Sequence, residues 1–143
     1  MSVIDGRTLT PGTVTAAVLV LDEPLSFWGG MDPHDGRIID RNHPQHGESL
    51  TGKVVVMAAG RGSSSSSSVL AEAIRLGTAP AALVLGEPDA IVALGALAAA
   101  ELYDVAVPVV STDGWQQLRT GTTVTVTGTA CGGPMRITSV TSA

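Results

Sequence analysis

The sequence predicts an α/β fold made of one domain over residues 1–143, and three observations carry that expectation. Residues 53–59, 80–85 and 107–110 are short apolar runs rich in valine, with the unbroken hydrophobicity of strands buried on both faces. Residues 69–77 and 90–102 lie between them and have helical periodicity or an alanine-rich helical composition. Thr123-Val124-Thr125-Val126-Thr127 alternates strictly, the pattern of a half-exposed strand. Strand–helix alternation requires parallel strands with helical crossovers. The strands outside this β-α-β-α-β centre imply a second sheet or a partial barrel.

Taken in order, residues 2–10 are polar and read as an edge segment. Pro11-Gly12 is a turn, and residues 13–21 begin with alternation and become continuously apolar, as a strand entering a core does. Asp22-Glu23-Pro24 ends that strand. Leu25-Ser26-Phe27-Trp28-Gly29-Gly30 holds the only phenylalanine and one of two tryptophans. Residues 31–49 are mostly turn formers and polar residues. So long an irregular stretch in a small domain reads as a functional loop, and Ile38-Ile39 implies that it packs back on the body. His34, His43 and His46 all lie here, near Asp32, Asp35 and Asp40. Their spacings match no standard ligand pattern, so no metal site is expected, and prolines and side-chain hydrogen bonds would stiffen the loop. His43 is kept as a residue near a substrate, because imidazole carries protons near neutral pH.

The next stretch organises the chain. Gly60-Arg61-Gly62 and six serines, Ser63 to Ser68, stand between the strand at 53–59 and the helix at 69–77. Val69, Leu70, Ala73, Ile74 and Leu76 share one helical face, and Gly77 occupies the C-cap position. A strand-to-helix turn exposes backbone N–H groups at the positive end of the helix dipole. Serines there can cap the helix or offer hydroxyls to an anion, and Arg61 adds a positive charge. A serine run also occurs in flexible linkers and in purely structural caps, but the tight patterning of both flanks favours a ligand-facing loop. It is not a Walker loop, since no Gly-Lys-Ser/Thr follows. Beyond it, Gly86-Glu87-Pro88-Asp89 starts the helix at 90–102, with acidic residues suited to its N-terminus. Ser111-Thr112-Asp113 caps a short helical turn, and residues 135–140 close the chain as a strand.

Composition narrows the function. Aromatic residues are 3% of the chain and its net charge is −5, which argues against nucleic-acid binding. Charged residues are only 15%, so a partner covering part of the surface is expected. The lone Cys131 cannot form an internal disulfide or by itself hold a metal cluster, and reads as a structural thiol. No apolar run approaches a membrane span and no signal peptide is evident, so a cytoplasmic protein without membrane contact is expected.

Three motifs, in this order, resemble the swivel domain or small subunit of the aconitase X family. They are Leu25-Ser26-Phe27-Trp28-Gly29-Gly30 with Asp32-Pro33, then Ile39-Asp40 with His43-Pro44 and Gly47-Glu48-Ser49, then Gly60-Arg61-Gly62-Ser63-Ser64. The Ala81-Ala82 strand and the Glu87-Pro88-Asp89 turn agree with the likeness, which spans about residues 14–126. The resemblance implies a swivelling three-layer β/β/α domain. It implies dehydration of cis-3-hydroxy-L-proline to Δ1-pyrroline-2-carboxylate or, alternatively, of phosphomevalonate to trans-anhydromevalonate 5-phosphate. It further implies a separate large subunit that holds an iron–sulfur cluster or iron, with no metal on this chain. The catalytic proton acceptor of the family maps onto Ser63, with Ser64 as a further donor, a substrate ligand or the alternative base in the continuing serine run. Arg61 and Gly62 would bind substrate, Phe27, Gly29 and Gly30 would line the site, and Asp40 and His43 would support it. The alanine-, glycine- and valine-rich, lysine-poor composition favours hydroxyproline over phosphomevalonate, as does the presence of Arg61 as the loop's one cation. The isolated chain is expected to fold but to be inactive.

Two readings from other classes compete. A phosphohistidine carrier domain would need an exposed acceptor, for which His34 is available, but its Asp-Pro-His-Asp setting is acidic. A non-catalytic binding module would use the Gly-Ser loop only to hold an anion.

Overall fold

The structure, a computed structural model, describes residues 3–60 and 65–140. Among these residues seven strands close into a barrel: β1 (Val3–Thr10), β2 (Gly12–Val20), β3 (Val54–Met57), β4 (Ala82–Leu85), β5 (Val109–Ser111), β6 (Thr123–Gly128) and β7 (Pro134–Ser139). Their order around the barrel is β1-β5-β4-β3-β2-β6-β7, and β7 pairs back onto β1. β2, β3, β4 and β5 run parallel, with Val18 opposite Val54, Val54 opposite Ala82 and Leu83 opposite Val109. The remaining pairings are antiparallel.

The unbroken apolar runs have a direct explanation. Alternate residues of the parallel strands face two different cores. Val18, Val54, Val56, Ala82, Val84 and Val110 point into the barrel, where they meet Val124, Val126, Met135 and Ile137 from the antiparallel wall. Leu19, Val55, Met57, Leu83, Leu85 and Val109 point outward, under Leu70, Ala73, Ile74, Val92, Ala96 and Ala99 of the helices. Each large side chain so buried contributes about 1.5–3 kcal/mol. The antiparallel wall, the parallel wall and the helices make the β/β/α layering that the resemblance implied, with the two walls joined at both edges instead of forming separate sheets.

The helices are α2 (Ser66–Leu76) and α3 (Ala90–Tyr103), which cross over from β3 to β4 and from β4 to β5. A four-residue helical turn, α1 (Phe27–Gly30), follows β2, and a 3-10 turn (Asp113–Gln117) follows β5. Gly77 caps α2 in the left-handed region (φ 79), its N–H directed to the carbonyls of Ala73 and Ile74, as its position predicted. The helix begins at Ser66, so three of the six serines form its first turn. α2 and α3 approach closely at one point, where a Cβ on Gly95 would stand 3.0 Å from the Cα of Ser67.

The edge segment expected at residues 2–10 is instead a strand paired on both sides, to β5 and to β7. Its polarity misled because the buried threonines are satisfied by the backbone. The Thr8 hydroxyl donates to the Pro134 carbonyl (2.9 Å), and that of Thr10 donates to Val107 (2.9 Å) and accepts from the Val109 N–H (2.9 Å). Residues 31–49 carry only isolated bridges, Met31–Ile38 and Arg37–Ser49. Ile38 is buried in the core beneath the helices, whereas Ile39 is exposed. No described helix is long and apolar enough to cross a membrane.

Candidate functional site

Parallel strands deliver their following loops to one end of a sheet, and ligands of such sheets sit outside the carboxyl ends of the strands. Here β2, β3 and β4 are neighbours, so the exit of β3 lies between the exits of β2 and β4. The loop after β3 carries the organising motif. Arg61, Gly62, Ser63 and Ser64 lie outside the described residues, but the frame on either side of them is described.

The entry is Gly60. A Cβ built there would overlap the Oδ2 oxygen of Asp89, so the absence of a side chain is what lets the carboxylate stand against the backbone. Oδ1 of the same carboxylate accepts from the N–H groups of Ile91 (2.9 Å) and Val92 (3.1 Å), capping α3. The exit is Ser66, 3% exposed. Its Oγ accepts from the Trp28 backbone N–H (3.2 Å) and lies 3.3 Å from Ser26 Oγ.

The Ser66 contact brings in the turn after β2. Gly29 takes φ 78, a conformation that favours glycine, and no atom stands within 4 Å of where its Cβ would be. The Gly30 carbonyl accepts from the Ile39 N–H (2.8 Å), and a Cβ on Gly30 would press on Leu25. The aromatic pair divides. Phe27 is 1% exposed, its ring in the core with Leu25, while Trp28 is 59% exposed. The aromatic surface of this turn therefore belongs to Trp28, and Phe27, expected to line the site, supports the turn from beneath.

Asp40 and His43 belong to the irregular stretch at 31–49. Asp40 Oδ1 accepts from the Asn42 N–H (2.9 Å), and its carbonyl accepts from the His43 N–H (3.1 Å). The His43 ring is 5% exposed. Nδ1 faces the Gln45 N–H (3.1 Å), which can only donate, so Nδ1 accepts and Nε2 carries the proton it gives to the Glu23 carbonyl (2.9 Å). Gln45 adds a bond from its side-chain nitrogen to the Val20 carbonyl (2.7 Å) and accepts from the Asp22 N–H (2.8 Å). These contacts stitch the loop to the exit of β2, and both ring nitrogens of His43 are committed to backbone.

His34 is exposed, with Nδ1 3.1 Å from Asp32 Oδ1. Asp32 is held below the ordinary carboxylate value, chiefly by the backbone N–H of His34. Among the described residues no three His, Cys, Asp or Glu side chains gather as metal ligands. Cys131 is exposed in the β6–β7 turn, at the opposite end of the barrel, where Gly12 faces Gly128. The described donor set does not fit an iron centre.

On the β4 side an open cleft of about 490 Å³ adjoins the frame. Asp5, Gly86, Thr112, Asp113 and Gln117 are among its lining residues. Gly86 also abuts the exit of β3, since a Cβ there would stand 2.6 Å from the Ala58 carbonyl oxygen.

Sequence reasoning missed Ser26, Trp28 and Ser66 as parts of this frame, and it read Asp89 only as a dipole partner. Ser66 was detectable. It stands four, seven and eight positions before Leu70, Ala73 and Ile74, on their buried face.

The profile of the family described as the aconitase X swivel domain matches residues 3–132. The cis-3-hydroxy-L-proline dehydratase of Pseudomonas aeruginosa is 48% identical over 103 residues, which is 72% of this chain; the match spans only 18% of the length of that enzyme. The phosphomevalonate dehydratase small subunit of Methanothermobacter thermautotrophicus is 44% identical over 96 residues, 67% of this chain and 73% of that one. The crystal structure of Thermococcus kodakaraensis aconitase X in its holo-form superimposes with a TM-score of 0.86 at 30% identity, covering 99% of this chain and 100% of that one.

Proposed function

The chain belongs to the aconitase X swivel-domain family, and from that membership we propose that it acts as the small subunit of an aconitase X-type hydro-lyase, dehydrating cis-3-hydroxy-L-proline to Δ1-pyrroline-2-carboxylate with a large subunit as partner. The observation that carries the reading is the frame itself. On the two sides of residues 61–64, Gly60 leaves β3 against the Asp89 carboxylate and Ser66 opens the first turn of α2. The 48% identity to the hydroxyproline dehydratase supports the substrate.

In this reaction the substrate loses the proton on Cα and the hydroxyl on C3, which leave together as water, and the enamine so formed tautomerises to the product. Ser63 is the proposed proton acceptor. A serine hydroxyl is a weak base in water, so it needs help to carry the negative charge of an alkoxide. Arg61 supplies a fixed cation, and α2, whose first turn begins three residues after Ser63, supplies the positive end of its dipole. Ser64 is the proposed second donor, and Gly62 lets the backbone approach the substrate. Gly29 and Gly30 keep the neighbouring turn free of side chains. Asp40 and His43 support the site by holding the loop at 31–49 against the exit of β2. The metal centre implied for such enzymes, an iron–sulfur cluster or iron, is assigned to the large subunit; no step on this chain runs through it.

A second reading has its own support. The Methanothermobacter relative, matched over 73% of its length, is a phosphomevalonate dehydratase small subunit. Its substrate would bring a phosphate to the same loop. The deciding experiment co-purifies the chain with its large subunit under anaerobic conditions and follows loss of cis-3-hydroxy-L-proline by wild type, Ser63→Ala and Ser64→Ala. Turnover lost in Ser63→Ala alone supports the reading. Turnover of phosphomevalonate in its place supports the second. A chain that turns over neither substrate with an intact metal centre is not such a subunit.

A further inference from the structure

Ser66 is a polar residue in a place that packing would give to alanine. It is 3% exposed, stands first in α2, and precedes Leu70, Ala73 and Ile74 on the face that packs into the core. Its hydroxyl accepts the Trp28 backbone N–H at 3.2 Å and meets Ser26 Oγ at 3.3 Å. The partner is thus a backbone amide 38 positions earlier in the chain. That amide lies at an irregular point of the turn, between the buried Phe27 ring and the bonded Gly30 carbonyl: Trp28 departs from helical geometry (ψ 117) with its indole 59% exposed, and Gly29 has φ 78. On the other side, Ser66 is two residues beyond Ser64. The neighbouring Ser67 backbone is seated against Gly95 of α3, so the helix end itself has little room to move.

We propose that Ser66 is a positioning residue: its buried hydroxyl ties the backbone of Trp28 to the first turn of α2 and so fixes the turn at 25–30 against the start of that helix. The role in turnover rests on the proposed function, but the tie itself does not. Without the hydroxyl, the helix keeps its packing face and its C-cap, and the Trp28 turn loses its anchor. The amide of Trp28 then exchanges with solvent more freely, and the turn at 25–30 is no longer held to the start of α2. A hydrogen bond of ordinary net strength corresponds to a factor of about ten.

Two measurements test this. Amide hydrogen exchange on the isolated chain compares wild type, Ser66→Ala and Ser66→Thr. Exchange at Trp28 is expected to quicken about tenfold in Ser66→Ala, with the amides of α2 from Leu70 onward unchanged, and to be restored in Ser66→Thr. Steady-state kinetics of the same variants, assembled with the large subunit, are expected to show kcat lowered about tenfold at unchanged KM in Ser66→Ala and recovered in Ser66→Thr. Unaltered exchange at Trp28 overturns the tie. Faster exchange with wild-type kcat, while Ser63→Ala remains inactive, overturns the positioning role and leaves the proposed function standing. If the wild-type assembly turns over neither substrate, the functional reading fails and the positioning role fails with it, whatever exchange shows about the tie.

Discussion

The carboxylate of Asp89 and the α-carbon of Gly60 are in direct apposition: any side chain on Gly60 would overlap Oδ2. Because Oδ1 caps α3 through Ile91 and Val92, one side chain joins the start of that helix to the exit of β3. The organising loop therefore leaves the barrel at a point set by a helix cap from the next crossover.

Gly60→Ala forces that carboxylate to move or the loop to shift. Overpacking of this kind costs about 1–3 kcal/mol, and loss of an Asp cap costs about 1 kcal/mol. The double variant Gly60→Ala/Asp89→Ala is expected to be no less stable than Asp89→Ala alone, since the clashing group is gone. Urea unfolding of the four proteins measures the coupling. Strict additivity would mean that the two residues do not meet.

His43 offers a contrast between holding a loop and touching a substrate. Both nitrogens of its buried ring bond to backbone, at Glu23 and Gln45. His43→Ala empties a buried position and removes the partner of the Glu23 carbonyl and of the Gln45 N–H, and is expected to cost about 1–3 kcal/mol in all. The urea midpoint should fall, while kcat of the assembled enzyme at a temperature where the variant is folded should stay near wild type. A stable variant with abolished turnover would place His43 at the chemistry instead.

How much of this was legible in the sequence depends on what each pattern reports. The strands at 53–59 and 80–85 were readable because apolar continuity reports burial on both faces, and the helix at 90–102 from its alanine-rich composition; they appear as β3, β4 and α3. β1 was not, because Thr8 and Thr10 look exposed by composition and are buried by hydrogen bonds to Pro134 and Val107. Closure of the two walls into a barrel is a long-range pairing of β1 with β7, which no local period encodes. The Gly-Ser motif pointed to the loop after β3, but not to its clamps, since Gly60–Asp89 and Ser66–Trp28 each join residues about thirty or more positions apart. Phe27 and Trp28 could not be sorted by sequence because they are adjacent in an irregular turn, where neither helical nor strand period assigns a face.

That division between the two aromatics makes a prediction of its own. Phe27→Ala empties a core position and is expected to lower stability by about 3–5 kcal/mol. Trp28→Ala removes an exposed indole and is expected to change stability by no more than about 0.5 kcal/mol. If the turn at 25–30 forms one wall of the site, Trp28→Ala should nonetheless reduce turnover of the assembled enzyme at least several-fold. Unfolding curves and steady-state kinetics on the two variants separate these effects, and equal destabilisation by both would contradict the burial of one ring and exposure of the other.

The acid limb of stability should carry the signature of one helix pair. On α2, the Arg75 guanidinium bonds the Glu72 carboxylate and holds it below its ordinary value of 4.5, with His34 adding to the same effect when protonated. Arg75 is raised correspondingly, chiefly by Glu72. A carboxyl with a depressed value in the folded state stabilises that state above the unfolded value, and the stabilisation is lost as pH falls through the folded one. The contribution of the pair should thus be constant from neutrality to about pH 5 and disappear below the ordinary value of 4.5. Both side chains are solvated, so the effect is small and sensitive to salt. Urea midpoints of wild type and Arg75→Gln between pH 7 and 3 provide the measurement. The two curves should run apart at neutral pH, converge below pH 4.5 and lie closer throughout in 1 M salt. A gap that persists undiminished to pH 3 would show that Arg75 stabilises α2 by packing its aliphatic stem, independently of the charge on Glu72.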